Sequence, residues 1–126
     1  MSSFDPLARR RTGLLTTYKR DGTGVPTPVT IAVDGDHAYV RTWDRAWKAK
    51  RMRNNPDVRI APSTVRGRAT GPAIDARSRL LEGDEARHAA RAIARRQPIL
   101  QGVLVPLTHK LMRYRTLHFE LTTLEG

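Results

Sequence analysis

Apolar and polar positions alternate in short runs along the first third of the chain, and each run stops at glycine, aspartate or proline. Thr12-Gly13-Leu14-Leu15-Thr16-Thr17-Tyr18-Lys19 reads as a strand and Thr27-Pro28-Val29-Thr30-Ile31-Ala32-Val33 as a second, joined by the Gly-rich turn Arg20-Asp21-Gly22-Thr23-Gly24. Asp34-Gly35-Asp36 is a short turn that tolerates positive φ at its glycine, and it leads into a third strand, His37-Ala38-Tyr39-Val40-Arg41-Thr42. The amino-terminal third is therefore expected to be an antiparallel meander.

The period then changes. Asp44 to Asn55 reads as a helix with Trp43, Trp47 and Met52 near one face, ending at Asn54-Asn55-Pro56 because the residue before proline is driven out of the α region. Val58-Arg59-Ile60-Ala61-Pro62 resumes as a strand. Arg68 to Leu81 reads as another, interrupted at Gly71-Pro72. Asp84 to Gln97 is expected to be a surface helix, with Ala86, Ala89, Ala90, Ile93 and Ala94 on one side and Arg87, Arg91 and Arg95 on the other. Pro98 to Met112 is apolar enough for a short helix broken by Gly102 and Pro106, and Thr116-Leu117-His118-Phe119-Glu120-Leu121-Thr122 alternates with period two as a final strand. Short connections between most strands argue for an antiparallel barrel with helices outside it, and against a doubly wound parallel sheet.

The length of 126 residues, 39% of them hydrophobic, suits a single domain over 1–126. There is no cysteine, which excludes a disulfide framework, a thiolate zinc site and a cysteine nucleophile. The polar start, Met1-Ser2-Ser3-Phe4-Asp5-Pro6-Leu7, lacks the apolar core of a signal peptide, and a cytoplasmic location is expected. His37, His88, His109 and His118 show no metal-ligand spacing, so no metal site is expected; Gly22-Thr23-Gly24 lies in a hairpin turn and is no dinucleotide fingerprint.

Charge changes the picture most. The formal net charge is +11, which favours polyanionic partners, and nine of the 23 basic residues fall between Arg41 and Arg68 against only Asp44 and Asp57. That cluster opens where a strand hands over to a helix, where unpaired backbone N–H groups and a partial positive charge favour a phosphate.

The marks along this segment are a hairpin, a strand ending in Arg41-Thr42, Trp47-Lys48 beyond the next turn, and Asn55-Pro56 before another strand. They resemble the split β-barrel, flavin-binding fold of the pyridoxamine 5′-phosphate oxidase superfamily. Thr42 matches the Thr that ends a strand in that family, Lys48 stands six residues beyond it, and Asn55-Pro56 closes the helix; Arg41 replaces a common aromatic and Trp47 the usual Arg. The longer pattern TPVTIAVDGDHAYVRTWDRAWKAKRMRNNPDVRIAPSTVRGRATG is similar to the actinobacterial branch that binds a deazaflavin, coenzyme F420, through K-x-K-R-x-R-x-N-P-x-V and A-P-x-T-x-R-G. The likeness covers most of residues 12–80.

This resemblance implies a mainly β (α+β) split barrel with two to three helices outside it, and a homodimer that holds the coenzyme between subunits. Pro28 and Val29 would line the ring, Lys48 the phosphate, and Lys50 and Arg51 a polyanionic tail. Arg41, Thr42 and Trp47 belong to the same implied site, and Arg68, or Arg66, would approach from the strand behind. Successive basic residues on a helix cannot all face one ligand, so Lys50 and Arg53 are equally well read as solvated surface. Trp43 and Trp47 are read as core or subunit-interface residues ahead of a stacking platform.

The implied activity is hydride transfer between reduced coenzyme F420 and a small conjugated or quinone-like acceptor. An FMN protein of the same fold is one alternative. A non-enzymatic nucleic-acid-binding domain is another, weakened by the lack of basic residues interleaved with exposed aromatics. Tyr39, His37, His118 or water could donate a proton, but none has a supporting partner in the sequence, so the catalytic residue is unknown. Val103-Leu104-Val105-Pro106-Leu107 beside His109, Lys110 and Arg113 leaves a peripheral membrane contact open.

Overall fold

A computed structural model describes residues 4–8, 11–43, 46–96 and 116–123. A 3₁₀ turn at Asp5–Leu7 precedes β1 (Thr12–Tyr18), β2 (Gly24–Asp34), β3 (His37–Trp43), α1 (Trp47–Asn54), β4 (Asp57–Pro62), β5 (Ile74–Leu80), α2 (Gly83–Arg96) and β6 (Thr116–Thr123). All strand pairings are antiparallel, and the sheet closes on itself in the order β1-β2-β3-β6-β5-β4. This is the expected mainly β barrel carrying helices on its outside. Gly35, at φ 62°, allows the two-residue turn that sets Asp34 opposite His37.

The barrel is filled by Leu15, Val29, Ile31, Val40, Val58, Ile60, Phe119 and Leu121, all buried. Phe4 and Leu7 join this core from the 3₁₀ turn, and Ala49 and Met52 join it from α1. A second cluster lies outside the barrel wall, where Ala89 and Ile93 of α2 cover Ala32 and Tyr39. Polar contacts fasten that helix at its edges: His88 Nε2 is 2.9 Å from Asp34 Oδ2, and Arg79 Nη2 reaches Glu85 Oε2 at 2.7 Å and Glu120 Oε1 at 3.2 Å.

β2 serves two ladders and leaves a gap between them. Its residues from Gly24 to Thr30 pair with β1, and those from Thr30 to Asp34 pair with β3. The Ile31 N–H donates to the Arg11 carbonyl at 3.0 Å, which sets the phase: odd-numbered residues of β2 turn their backbone groups toward β1 and even-numbered ones toward β3. The ladder with β3 stops at Thr30↔Arg41, one step before Val29 would pair with Thr42. The next hydrogen-bonded rung would set residue 28 opposite Trp43, and Pro28 has no N–H to give. The Trp43 carbonyl instead accepts the Ala46 N–H at 3.1 Å, and the chain turns out of the sheet toward α1.

Several boundaries differ from the sequence reading. The helix expected from Asp44 starts at Trp47, because Ala46 is extended at φ −68°, ψ 141°; Asp44 and Arg45 themselves lie outside the described residues. The strand expected from Arg68 begins only at Ile74, since Thr64–Arg68 is a turn with Gly67 at φ 91° and Ser63↔Ala69 makes one isolated bridge. Ala94 is exposed where the apolar side of α2 was expected to include it. The segment 98–112, with its expected short helix and its membrane-contact residues Val103 to Leu107, lies outside the described residues.

Two measurements follow from this architecture. In Pro28→Ala, the amide introduced at position 28 is in register to bond the Trp43 carbonyl and will be protected from hydrogen exchange. Stability will move by no more than about 1 kcal/mol, because one net hydrogen bond is offset by the extra freedom of the unfolded chain. Exchange at the rate of an open loop would contradict the rung argument.

The second concerns His118, which faces Arg41 across the β3–β6 ladder. Burial, and then the Arg41 charge, push its imidazole below the ordinary histidine range. Below about pH 6.5 the unfolded chain therefore takes up a proton that the folded chain refuses, so this contribution is whole above that pH and is lost as pH falls toward the folded value. Melting curves from pH 7.5 to 5.5 will show a shallower loss of Tm in His118→Gln than in the parent, whereas parallel curves would rule the coupling out.

Candidate functional site

The gap between β2 and β3 opens into a cavity of about 350 Å³. Both faces of the barrel wall contribute to it. Val29 and Thr42 are buried, Thr30 and Arg41 are half-buried, Pro28 is exposed, and Ala46 and Lys48 close the cavity from the start of α1. Trp43, 44% exposed, stands at the rim.

Each wall of this cavity favours an incoming anion. Thr42 is 4% exposed and its hydroxyl oxygen has no hydrogen-bond partner among the described residues. Such a buried group costs on the order of 1–3 kcal/mol until something bonds it. Burial lowers the pKa of Arg41, and burial followed by the Arg51 charge lowers that of Lys48. Neither cation pairs with a carboxylate among the described residues, so both hold a desolvated charge that a bound anion would compensate. The first turn of α1 adds to the field: its N-cap, Ala46, makes no side-chain cap and no acidic residue stands in the turn.

A larger cavity of about 1030 Å³ lies on the other flank of α1. Lys19 and Arg20 reach it from the end of β1, Lys50 and Arg51 from the helix, with Tyr18, Val25 and Trp47 between them and no carboxylate among its described lining residues. Lys50 Nζ lies 4.6 Å from the centroid of the Trp47 ring. The Arg51 Nε–H donates to the Thr17 hydroxyl at 2.7 Å, which ties the helix to β1.

The geometry of α1 explains this division. At about 100° per residue, Lys50 stands roughly 200° around the axis from Lys48, with buried Ala49 between them in sequence. The structure thus brings Pro28, Val29, Arg41, Thr42 and Lys48 around one cavity and Trp47, Lys50 and Arg51 around the other. Arg68 lines neither. It is exposed on the turn after β4, where its N–H donates to the Thr64 hydroxyl at 3.1 Å, and Gly67 of that turn lies against the Pro28 ring.

Lys19 and Arg20 were missed in the sequence. They form a visible basic pair, but only the β1–β4 pairing and the packing of α1 on β1 bring them beside residues 47–54. Trp43 and Trp47 are not core residues of this chain; Trp47 is 70% exposed. Its exposure beside Lys50 also overturns the expectation that no exposed aromatic interleaves with the basic residues. Tyr39 lines a small separate cavity under α2, and His37 Nδ1 lies 3.4 Å from Glu120 Oε2, so both stand apart from the split. No group of three or more metal-ligating side chains forms among the described residues, and no described helix is long and apolar enough to cross a membrane.

No protein-family model matches the chain. No curated protein matches it in sequence. Solved structures do match. A Listeria innocua protein assigned as a pyridoxamine 5′-phosphate oxidase superposes with a TM-score of 0.65 at 18% identity, covering 94% of this chain and 87% of the other. An FAD-binding protein of Mesorhizobium loti gives 0.65 at 20% identity over 94% and 83%. A protein named an F420 reductase gives 0.59 at 15% identity over 98% and 94%. With its closed six-stranded antiparallel order and the split beside α1, the chain has the split-barrel fold of the pyridoxamine 5′-phosphate oxidase-like proteins.

Proposed function

We propose that the protein is an oxidoreductase that holds a phosphorylated flavin-type coenzyme in the split between β2 and β3, and that this coenzyme is the deazaflavin F420 in preference to FMN. The observation that carries the reading is the Thr42 hydroxyl, set in one cavity with Arg41 and Lys48, all three without a compensating partner among the described residues. Similarity in fold to proteins named for FAD and F420 supports the flavin class.

The preference for F420 rests on the second cavity. FMN brings one phosphate, whereas F420 continues from a phosphodiester into a chain of glutamates. Lys19, Arg20, Lys50 and Arg51 offer four cations to that anionic tail on the flank of the helix that carries Lys48. In this reading Thr42, Arg41 and Lys48 hold the phosphate, Val29 and Pro28 pack on the ring, and the four cations of the second cavity take the glutamates.

When bound, the reduced deazaflavin supplies a hydride to a small conjugated or quinone-like acceptor. The protein's own work is to fix the ring and exclude water around it. A second copy of the chain completes the site and covers exposed Trp43 at its rim, and the dimer works in the cytoplasm.

Fluorescence titration of the purified protein with oxidised coenzyme F420 tests this directly. Saturable binding at micromolar concentrations or below is expected, together with a loss of more than tenfold in Lys48→Ala and an unchanged melting curve. A protein purified yellow with retained FMN, or one that binds a single-stranded oligonucleotide but not the coenzyme, would contradict the proposal, as would an unaltered affinity in Lys48→Ala.

A further inference from the structure

Thr17 breaks the pattern of the wall to which it belongs. The buried positions of β1 are 13, 15 and 17, and Leu15 is part of the barrel core. Thr17 is the last of these inward positions and is fully buried. A valine would fill the same space with no polar atom to satisfy, whereas a buried hydroxyl needs a partner. That partner is the Arg51 Nε–H, which donates to Thr17 Oγ1 at 2.7 Å.

This one bond decides what the rest of the guanidinium can do. Arg51 is half-buried and lines the larger cavity, where no carboxylate stands among the described lining residues. With Nε spent on the barrel wall, Nη1 and Nη2 keep their donors and have no acceptor among the described residues. A guanidinium is planar and its donors form a rigid fork, so an Nε–H held on a fixed acceptor restricts the directions of the others. The remaining cations of the cavity differ in kind. Lys50 Nζ rests on the Trp47 ring as a point charge, and Lys19 and Arg20 are exposed.

Thr17 stands in the cavity wall without facing the cavity. Its neighbour Tyr18 and its cross-strand partner Val25 both line that cavity, whereas Thr17 lines none of the four. Any effect it has on a ligand there is exerted through Arg51.

We propose that Thr17 is a positioning residue that holds the Arg51 guanidinium as a preformed, two-pronged site for one carboxylate in the larger cavity. The inference rests on the coenzyme reading above, in which that carboxylate belongs to the glutamate tail. It adds the buried group that favours the paired oxygens of a carboxylate, where the lysines contribute charge alone.

The test uses the full chain and fluorescence titration with two forms of coenzyme F420, one with its glutamate tail and one that lacks the glutamates but keeps the phosphate. Thr17→Val keeps the shape of the side chain and is expected to lose about fivefold or more in affinity for the tailed form and less than about twofold for the other. Thr17→Ser, which keeps the hydroxyl, will bind both as the parent does. Arg51→Lys keeps the charge and removes the fork; it will show the same selective loss, and adding Thr17→Val to it will cost nothing more.

Equal losses for both forms in Thr17→Val would show that the hydroxyl only seats α1, and would overturn the proposal. An unchanged affinity for the tailed form, or full additivity of the two substitutions, also overturns it. If neither form binds the parent, the coenzyme reading falls, and the fork is read instead from the NMR signal of the Arg51 Nε–H on addition of a triglutamate peptide. A shift in the parent that Thr17→Val abolishes upholds the fork without the coenzyme, and no shift removes both.

Discussion

One missing hydrogen-bond donor organises this molecule. An antiparallel barrel of six strands would ordinarily carry each ladder to the end of its shorter strand, because an unpaired backbone group next to the core is costly. Pro28 interrupts that rule on β2 at the rung where Trp43 should bond. The sheet opens there, the Trp43 carbonyl finds the Ala46 amide, and the chain leaves the barrel to form α1. The cavity, Lys48 and the exposed Trp43 all stand beside that rung.

What fills the opening is charge without compensation. Elsewhere on the barrel several basic groups have a carboxylate beside them: Arg59 reaches Asp75 at 2.7 Å, Arg79 bridges two glutamates, and the His88 ring meets Asp34. Those contacts are exposed and individually weak. Around α1 such partners are missing among the described residues. Arg41, Lys48, Lys50 and Arg51 have no carboxylate among the described residues, and Thr42 keeps a buried hydroxyl unbonded. Such an arrangement costs folding free energy, and sites that bind anions are where this kind of cost is found.

Much of this was readable along the chain, and the unread part has physical causes. Strands such as Thr116–Thr123 and the meander from Thr12 to Trp43 announce themselves by period-two alternation, turn residues and β-branched side chains. The Thr42 to Lys48 spacing marked a candidate basic site through its resemblance to the split-barrel family. Nothing local could show that Lys48 and Lys50 part company, since that depends on which face of α1 meets the barrel; buried Ala49 and Met52 decide it. Lys19 and Arg20 were hidden for the same reason, as only long-range packing on β1 places them near the helix. Trp47 departs from a core reading because tryptophan is usually buried, and here it stands exposed beside Lys50 in the lining of the basic groove.

The central proposal is that the Pro28-bounded split takes up the proposed coenzyme. Backbone amide chemical shifts of the full-length protein, recorded with and without saturating coenzyme F420, test it most directly. The account predicts that the largest changes fall on Val29, Thr30, Arg41, Thr42, Lys48 and Ala49, with smaller ones at Lys19, Lys50 and Arg51 and little change over Ala89 to Ile93 of α2. Changes centred on α2, or none at the β2–β3 split, would contradict it.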